Sequence, residues 1–131
     1  MDTLKAQLKS ASDIVLARQM VRRAAQEAGL NLVDQTKIVT AASELARNTL
    51  IYGLGGEMTM QVVEDGVRRG VRLTFVDQGP GIPNLNLALT DGWTSGTGLG
   101  MGLSGARRLV NDFEIHSRVG EGTRVTIARW K

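Results

Sequence analysis

The sequence contains no cysteine and only one histidine, His116. The lack of cysteine excludes disulfide bridges, thiolate metal centres and cysteine nucleophiles. His116 has no cysteine or second histidine to share a metal with, so we expect an ordinary strand residue there. Aromatic residues make up only 4% of the chain. Aliphatic side chains and methionine must therefore fill the core.

The sequence also lacks the pattern of a nucleic-acid-binding protein, although its net charge is +3 and its pI is about 9.8. The basic residues are dispersed, and no aromatic residues lie among them to stack on bases. We therefore predict no nucleic-acid partner. A solvated basic face, or a docking patch for an acidic protein partner, is more consistent with the charge. The basic clusters are Arg18, Arg22 and Arg23, then Arg68 and Arg69, then Arg107 and Arg108.

No stretch is apolar for long enough to span a bilayer, and the first residues lack the apolar run of a signal peptide. We therefore expect a cytoplasmic protein without a membrane partner. A chain of 131 residues is the size of one domain with one core, so we predict a single domain over residues 1–131.

Hydrophobic periodicity predicts helices and strands in an order typical of an α+β fold. We expect a two-layer α/β sandwich, in which helices cover one face of a mixed, mostly antiparallel sheet. Ser12 is the predicted N-cap of the first helix, and Gly29 its stop signal. The predicted elements are a strand over Leu4–Ser10, a helix up to Ala28, a helix over Asp34–Tyr52, strands over Met58–Val63 and Val71–Val76, a helix over Leu103–Val110, and strands over Phe113–Val119 and Thr123–Trp130.

The second predicted helix carries a carboxylate and an amide one turn apart, Glu44 and Asn48. Asn48 shares its face with Leu45 and Tyr52, where an amide is costly unless it finds partners. One interpretation is an asparagine that hydrogen bonds to nearby backbone. The other is a polar cavity, in which an amide oxygen could bind Mg²⁺ and a glutamate could act as a general base.

Asp77 stands where an apolar strand ends, and Gly79 and Gly81 follow it. As a turn, this sequence is ordinary. As a site, the two glycines would let the backbone come close to a ligand. A buried carboxylate there could accept a hydrogen bond from an exocyclic amine, such as that of adenine, and so distinguish adenine from guanine.

The segment from Gly96 to Gly105 alternates glycine with other residues before a predicted helix. Such a segment exposes backbone N–H groups, which bind phosphate with the help of the helix dipole. A flexible linker would have the same glycines, but Leu99, Met101 and Leu103 are unusual for a solvated spacer.

Two other phosphate-binding motifs do not fit this segment. Gly100-x-Gly102-x-x-Gly105 matches the Rossmann pattern, but it follows a loop instead of a strand, and too little chain remains for a dinucleotide fold. A Walker P-loop needs a lysine before serine or threonine. No lysine lies between Lys37 and Lys131.

Together these segments resemble the GHKL (Bergerat-fold) ATPase/kinase superfamily. Its N box is similar to Glu44-x-x-x-Asn48, and its first glycine box to Asp77-x-Gly79-x-Gly81. Its second glycine box is similar to Gly98-Leu99-Gly100-Met101-Gly102-Leu103, and its late Gly-Thr pair to Gly122-Thr123.

The resemblance implies ATP and Mg²⁺ as cofactors. By this resemblance Glu44 is the catalytic base and Asn48 the Mg²⁺ ligand. Asp77 anchors adenine, Thr123 contributes to base binding, and residues of the second glycine box form the phosphate lid.

Within the superfamily, the chain resembles the small bacterial serine/threonine kinases of partner-switching systems, the stressosome switch kinases in particular. The segments that carry this likeness are Asp13–Gln19, Ser43–Asn48 and Asp77–Pro83. The resemblance implies phosphorylation of a STAS-domain protein, a further downstream regulator as partner, and compatibility with a homodimer.

Two relatives within the superfamily are alternatives. An anti-sigma factor that sequesters a sigma factor shares all three boxes, so the motifs leave this alternative open. A histidine kinase is disfavoured because its lid usually carries a phenylalanine box. Between Ile82 and Gly96 this chain has no phenylalanine, only Trp93, and it has no helical hairpin with a phosphorylatable histidine.

Overall fold

The computed structural model describes residues 3–84, 89 and 99–131. Among these residues no helix has the length and apolar character needed to cross a membrane. The described elements are β1 (Leu4–Leu8), α1 (Ala11–Glu27), α2 (Leu32–Ile51), β2 (Gly56–Glu64), β3 (Arg69–Asp77), α3 (Leu99–Arg108), β4 (Asp112–Arg118) and β5 (Gly122–Trp130).

The five strands form one sheet in the order β1-β2-β3-β5-β4. Each described pairing is antiparallel, so the sheet is more regular than the mixed sheet that we expected. The register places Met58 opposite Phe75, and Phe75 opposite Val125. Because alternate strand residues share a face, this register aligns the buried side chains of three strands in one row.

The core lies between this face of the sheet and the helices. Phe75, Leu73 and Ile127 of the sheet are almost fully buried, as are Val21 of α1 and Leu45 of α2. Residues on the other sheet face, such as Thr74 and Thr126, are only partly buried. The predicted α+β two-layer sandwich is therefore confirmed.

Helix α1 begins at a different serine from the one predicted. Ser10, not Ser12, is the N-cap, with φ −152°, and its Oγ accepts a hydrogen bond from the Asp13 backbone N–H at 3.3 Å. The Asp13 carboxylate in turn accepts from the Lys9 N–H at 2.9 Å. This reciprocal pairing satisfies two N–H groups at the helix start, and Ser12 has no equivalent partner three residues later. Strand β1 accordingly ends at Leu8, two residues before the predicted end.

Helix α1 ends at Glu27, and Gly29 provides the stop signal that we predicted. Gly29 has φ +80°, a conformation that glycine adopts without strain. The Leu30 N–H donates to the Ala25 carbonyl at 3.0 Å, and the Gly29 N–H to the Gln26 carbonyl at 3.0 Å. These bonds form a Schellman motif.

Helix α3 starts at Leu99, four residues before the predicted start, and ends at Arg108 instead of Val110. Gly100 and Gly102 therefore lie within a helix, despite the low helix propensity of glycine. Leu103 and Ala106 are buried against the core, and this packing favours the helix. The other elements differ from the prediction by one or two residues at their ends, as is usual for such boundaries.

Candidate functional site

A cavity lies between α2, α3 and the adjoining ends of β3 and β5. Five of the residues predicted for the site line it, namely Asn48, Asp77, Gly81, Leu103 and Thr123. These residues are far apart in the sequence, and the fold brings them to one place. The other lining residues are Leu45, Thr49, Tyr52, Gly53, Phe75, Ile82 and Val125.

Asp77 is the last residue of β3, and only 8% of it is exposed. Its Oδ1 accepts a hydrogen bond from the Gly79 N–H at 3.0 Å. Burial raises the pKa of the Asp77 carboxyl above its usual value, while the backbone N–H groups of Gly79 and Thr123 act in the lowering direction. Asp77 is therefore a buried carboxylate at the end of this strand, and its role as an adenine anchor stays a prediction.

Glycines surround the Asp77 carboxyl group closely. A Cβ on Gly53 would collide with the carboxyl group itself, and a Cβ on Gly79 would lie 2.7 Å from the Gly53 carbonyl oxygen. A Cβ on Gly122 would collide with the Asp77 carbonyl. The sequence predicted Gly53 only as a helix end. The structure shows that Gly53 lies against the Asp77 carboxyl group. The glycine run after Tyr52 was the one sequence feature that could have indicated this close contact.

Ser117 was not predicted from the sequence. Its side chain joins three parts of the site. Its Oγ accepts a hydrogen bond from the Ile82 N–H at 2.8 Å, donates to the Gly122 carbonyl at 3.1 Å and lies 2.7 Å from the Thr123 Oγ1. It shares the inward face of β4 with Ile115, and a polar residue at that position was the available signal. Ser117 thus holds the loop after Asp77 against the β4–β5 hairpin.

Asn48 projects from α2 towards α3. Its Nδ2 is buried and makes no hydrogen bond within the described residues. A Cβ on Gly102 would lie 2.9 Å from this nitrogen and 3.1 Å from Oδ1, so glycine at that position lets α3 approach the amide. The alternative interpretation, an asparagine that hydrogen bonds to nearby backbone, does not hold for this nitrogen. A buried amide with an unmade hydrogen bond is costly and suits a site that a ligand completes.

The Asn48 amide is compatible with Mg²⁺ as a single protein ligand. No group of three or more acidic or histidine side chains that could hold a metal occurs in the part of the chain described. Mg²⁺ commonly takes one or two protein ligands and completes its shell with phosphates and water. A magnesium site based on this one amide would therefore need a phosphate-bearing ligand.

Glu44 and His116 do not line the cavity. Glu44 is half-buried on α2, one helical turn from Asn48, and within the described chain its side chain is not engaged by a hydrogen bond or ion pair. His116 lies on β4, largely exposed, with its Nε2 2.7 Å from the Glu114 Oε1. His116 is thus the ordinary strand residue that we expected.

The second glycine box is described only in part. Gly98 lies outside the described residues. Leu99, Gly100 and Met101 form the start of α3, but their side chains also lie outside what the structure describes. Gly102 and Leu103 are buried, beside Asn48 and at the cavity wall respectively.

A buried carboxylate at a strand end, an unsatisfied amide on a helix and a glycine-bearing helix surround one cavity in this α+β sandwich. The family profile described as histidine kinase-, DNA gyrase B- and HSP90-like ATPase matches residues 33–131. The chain belongs to this family.

Two curated relatives have contrasting functions. The serine/threonine-protein kinase RsbT of Bacillus subtilis is 43% identical over 118 residues, which cover 90% of this chain and 89% of that protein. An anti-sigma F factor of Anoxybacillus flavithermus is 31% identical over 105 residues, which cover 75% of this chain and 70% of that protein.

Solved structures share the fold at low sequence identity. The RsbU and RsbW domains of a Mycobacterium tuberculosis protein match with a TM-score of 0.68 and 21% identity, over 100% of this chain. This chain spans 33% of the length of that one. The mycobacterial sensor histidine kinase MprB matches with a TM-score of 0.58 and 15% identity, over 98% of this chain and 97% of that one. At these identities the likeness concerns the fold alone.

Proposed function

We propose that this protein is an ATP-dependent serine/threonine protein kinase that phosphorylates a STAS-domain partner. It would act in the cytoplasm, in a bacterial partner-switching pathway of the stress-response type. The observation that carries the proposal is the 43% identity to a serine/threonine-protein kinase over 90% of the chain. The cavity lined by both Asn48 and Asp77 supports the proposal.

Asp77 is the proposed anchor for adenine. Its carboxylate would accept a hydrogen bond from the exocyclic amine, while Thr123 would contact the same base from β5. The space between the described residues is about 40 Å³, enough for only a few water molecules. We therefore expect binding of a base to widen the cavity by moving the walls formed by Ile82 and Leu103 apart.

Asn48 and the start of α3 are proposed to serve the phosphates. The Asn48 Oδ1 would hold Mg²⁺, which offsets phosphate charge when it is bound. Backbone N–H groups of the second glycine box, Gly98–Leu103, would donate to phosphate oxygens at the positive end of the α3 dipole. Gly79 and Gly81 would let the first glycine box approach the nucleotide.

Glu44 is the proposed general base. It lies one turn from Asn48, about 6 Å along the helix surface. In the transfer the acceptor hydroxyl oxygen bonds to the γ-phosphorus, the bond to the β–γ bridging oxygen breaks, and ADP leaves. The hydroxyl proton passes to Glu44.

An anti-sigma factor is the second candidate, because the relative of that kind is 31% identical to this chain. Fold cannot separate the two functions, since both proteins share it. Co-purification can separate them. A kinase should capture a STAS-domain protein, and a nucleotide-dependent complex with a sigma factor would instead favour the second candidate.

We propose the basic residues Arg18, Arg22 and Arg23 of α1 as the docking face for the partner. The same co-purification should be repeated with glutamate in place of all three arginines. If the charge-reversed protein still captured its partner, the docking face would lie elsewhere. A homodimer and a further downstream regulator are part of the same proposal, and sedimentation of the purified protein tests the dimer.

A further inference from the structure

Ser117 and Thr123 are direct neighbours across the β4–β5 pair. Both lie on the sheet face that also carries Ile115 and Val125, because residues two apart in a strand point the same way. Thr123 lines the cavity, and the Thr123 and Ser117 hydroxyl oxygens are 2.7 Å apart. What Ser117 does with its proton therefore affects a group that a ligand would meet.

A serine hydroxyl has one proton to donate and two lone pairs that accept. At Ser117 the Ile82 N–H occupies one lone pair, and the Gly122 carbonyl takes the proton. The bond to Thr123 must then use the second lone pair, which makes Thr123 the donor. In the reverse assignment, Ser117 would donate to Thr123 and leave the Gly122 carbonyl without its 3.1 Å bond. The first assignment satisfies all three contacts.

We propose that Ser117 is a positioning residue that makes the Thr123 hydroxyl a hydrogen-bond acceptor on its cavity side. With its proton directed at Ser117, Thr123 has only lone pairs to offer a ligand. Asp77, whose register partner is Thr123, is an acceptor too. Two neighbouring acceptors favour a base edge that bears an amine and disfavour an edge that bears a carbonyl. Ser117 thereby contributes to selection of adenine over hypoxanthine or guanine without touching the base.

This inference rests on the proposed nucleotide binding, and the experiment must distinguish the two. ADP and IDP differ at the relevant edge, where IDP has a carbonyl in place of the amine. Their dissociation constants are to be measured by calorimetry with Mg²⁺ for the wild-type chain and for Ser117→Ala. In this variant the Thr123 proton is released and can turn towards a carbonyl. We expect the preference for ADP over IDP to fall about 5- to 10-fold, the worth of one hydrogen bond.

Companion variants separate positioning from general damage. Thr123→Ser keeps the hydroxyl and should keep the preference. Thr123→Val should lower the preference, and adding Ser117→Ala to it should have no further effect on the ratio, because the two residues act as one unit. Ser117→Cys replaces the hydroxyl by a weak acceptor and serves if Ser117→Ala does not fold. Thr74→Ala, on the opposite sheet face, is the control.

The outcomes are distinct. A smaller preference for ADP over IDP in Ser117→Ala, with no such change in Thr74→Ala, supports the positioning role. If the affinities for ADP and IDP fell equally, Ser117 would only support the loop. The positioning role would then be overturned, while the proposed nucleotide binding would stand. If the wild-type chain bound neither nucleotide, the proposed function would fail and the inference with it.

Discussion

At the level of single residues, Asp77 is subject to two opposing effects. Burial disfavours its charged form and raises its pKa, whereas the backbone N–H groups of Gly79 and Thr123 favour the charge. The desolvation is the larger effect. Burial of the ionised carboxylate therefore lowers the stability of the fold. Such a buried ionisable group is typical of a functional site, where a ligand needs the acceptor.

Replacement of Asp77 by asparagine should separate binding from stability. The amide oxygen can still accept the Gly79 N–H, but the amide NH₂ group would then face the amine of adenine. We expect ADP affinity to fall about 10- to 100-fold, while stability at neutral pH does not decrease, because a buried carboxylate no longer has to ionise. Calorimetric titration and urea unfolding measure the two quantities. Unchanged affinity would exclude Asp77 as the adenine anchor.

The raised pKa of Asp77 also predicts a pH dependence. In the folded, unliganded protein a raised carboxyl pKa gives a stability contribution that is fully present below the unfolded-state pKa and is lost as pH rises through the folded-state pKa. Binding has the opposite sign, because the adenine amine requires the ionised form. ADP affinity should therefore fall with decreasing pH, and at a higher pH than an ordinary aspartate would give. Titrations across mildly acidic pH test this, and Asp77→Asn should lack this dependence.

Glu44→Gln tests the base with minimal change of shape. Loss of a general base should slow phosphoryl transfer about 10²- to 10⁴-fold, whereas ADP affinity should change little, because Glu44 does not line the cavity. Single-turnover transfer and ADP titration report the two effects. Glu114→Gln, at an exposed carboxylate on β4, is the matched control. A normal transfer rate in Glu44→Gln would mean that another group takes the proton.

At the level of elements, the contact between α2 and α3 depends on a glycine. Gly102 and Gly105 lie on the same helix, but only Gly102 has close neighbours. A Cβ there would be 2.9 Å from the Asn48 Nδ2, whereas a Cβ on Gly105 would have no heavy atom within 4 Å. Alanine substitutions at Gly102 and Gly105 therefore separate the effect of helix propensity from the effect of packing.

Gly102→Ala should lower nucleotide affinity, because the added methyl group would displace the Asn48 amide from its position beside α3. Gly105→Ala should leave affinity unchanged and stabilise the protein by about 1 kcal/mol, the propensity difference between the two residues in a helix. Thermal unfolding and ADP titration of both variants provide the comparison. Equal affinities in the two variants would show that the Asn48–Gly102 contact is not part of the site.

The boundaries of helices could not all be predicted from local sequence. The type and order of all eight described elements follow from periodicity and turn residues, since those signals are local. Ser12 was wrong as the N-cap because two serines compete, and only the Asp13 partner decides between them. The early start of α3 was missed because glycines disfavour a helix locally, and burial of Leu103 and Ala106 against other elements overrides that preference.

Residues of the candidate site could be predicted where the local sequence alone marked them as unusual. Asn48, Asp77 and Thr123 stand out as polar residues at special positions, and the structure gathers them around one cavity. Gly53 and Ser117 were missed because their roles arise from contacts between distant segments. Gly53 matters through its approach to Asp77, and Ser117 through its bond to Ile82, 35 residues away along the chain.

For the whole molecule, the site lies where the helical layer meets one end of the sheet. Helix α2 supplies Asn48, and the strand ends supply Asp77 and Thr123. The proposed binding residues lie at the end of the sheet and in the adjoining loops, next to the face that forms the core. A nucleotide there would contact both layers, and its binding should stabilise the folded chain by about 2.7 kcal/mol at a ligand concentration of one hundred times Kd.

The central claim is phosphoryl transfer from ATP to a protein hydroxyl. The most direct measurement mixes the protein with Mg²⁺, γ-labelled ATP and a STAS-domain partner from the same genome, and follows the label. We expect label on the partner that is stable to acid and labile to alkali, as expected of phosphoserine or phosphothreonine, and its loss with Glu44→Gln. ATP binding without transfer to any STAS-domain protein of that genome would contradict the proposed kinase activity and favour the anti-sigma function.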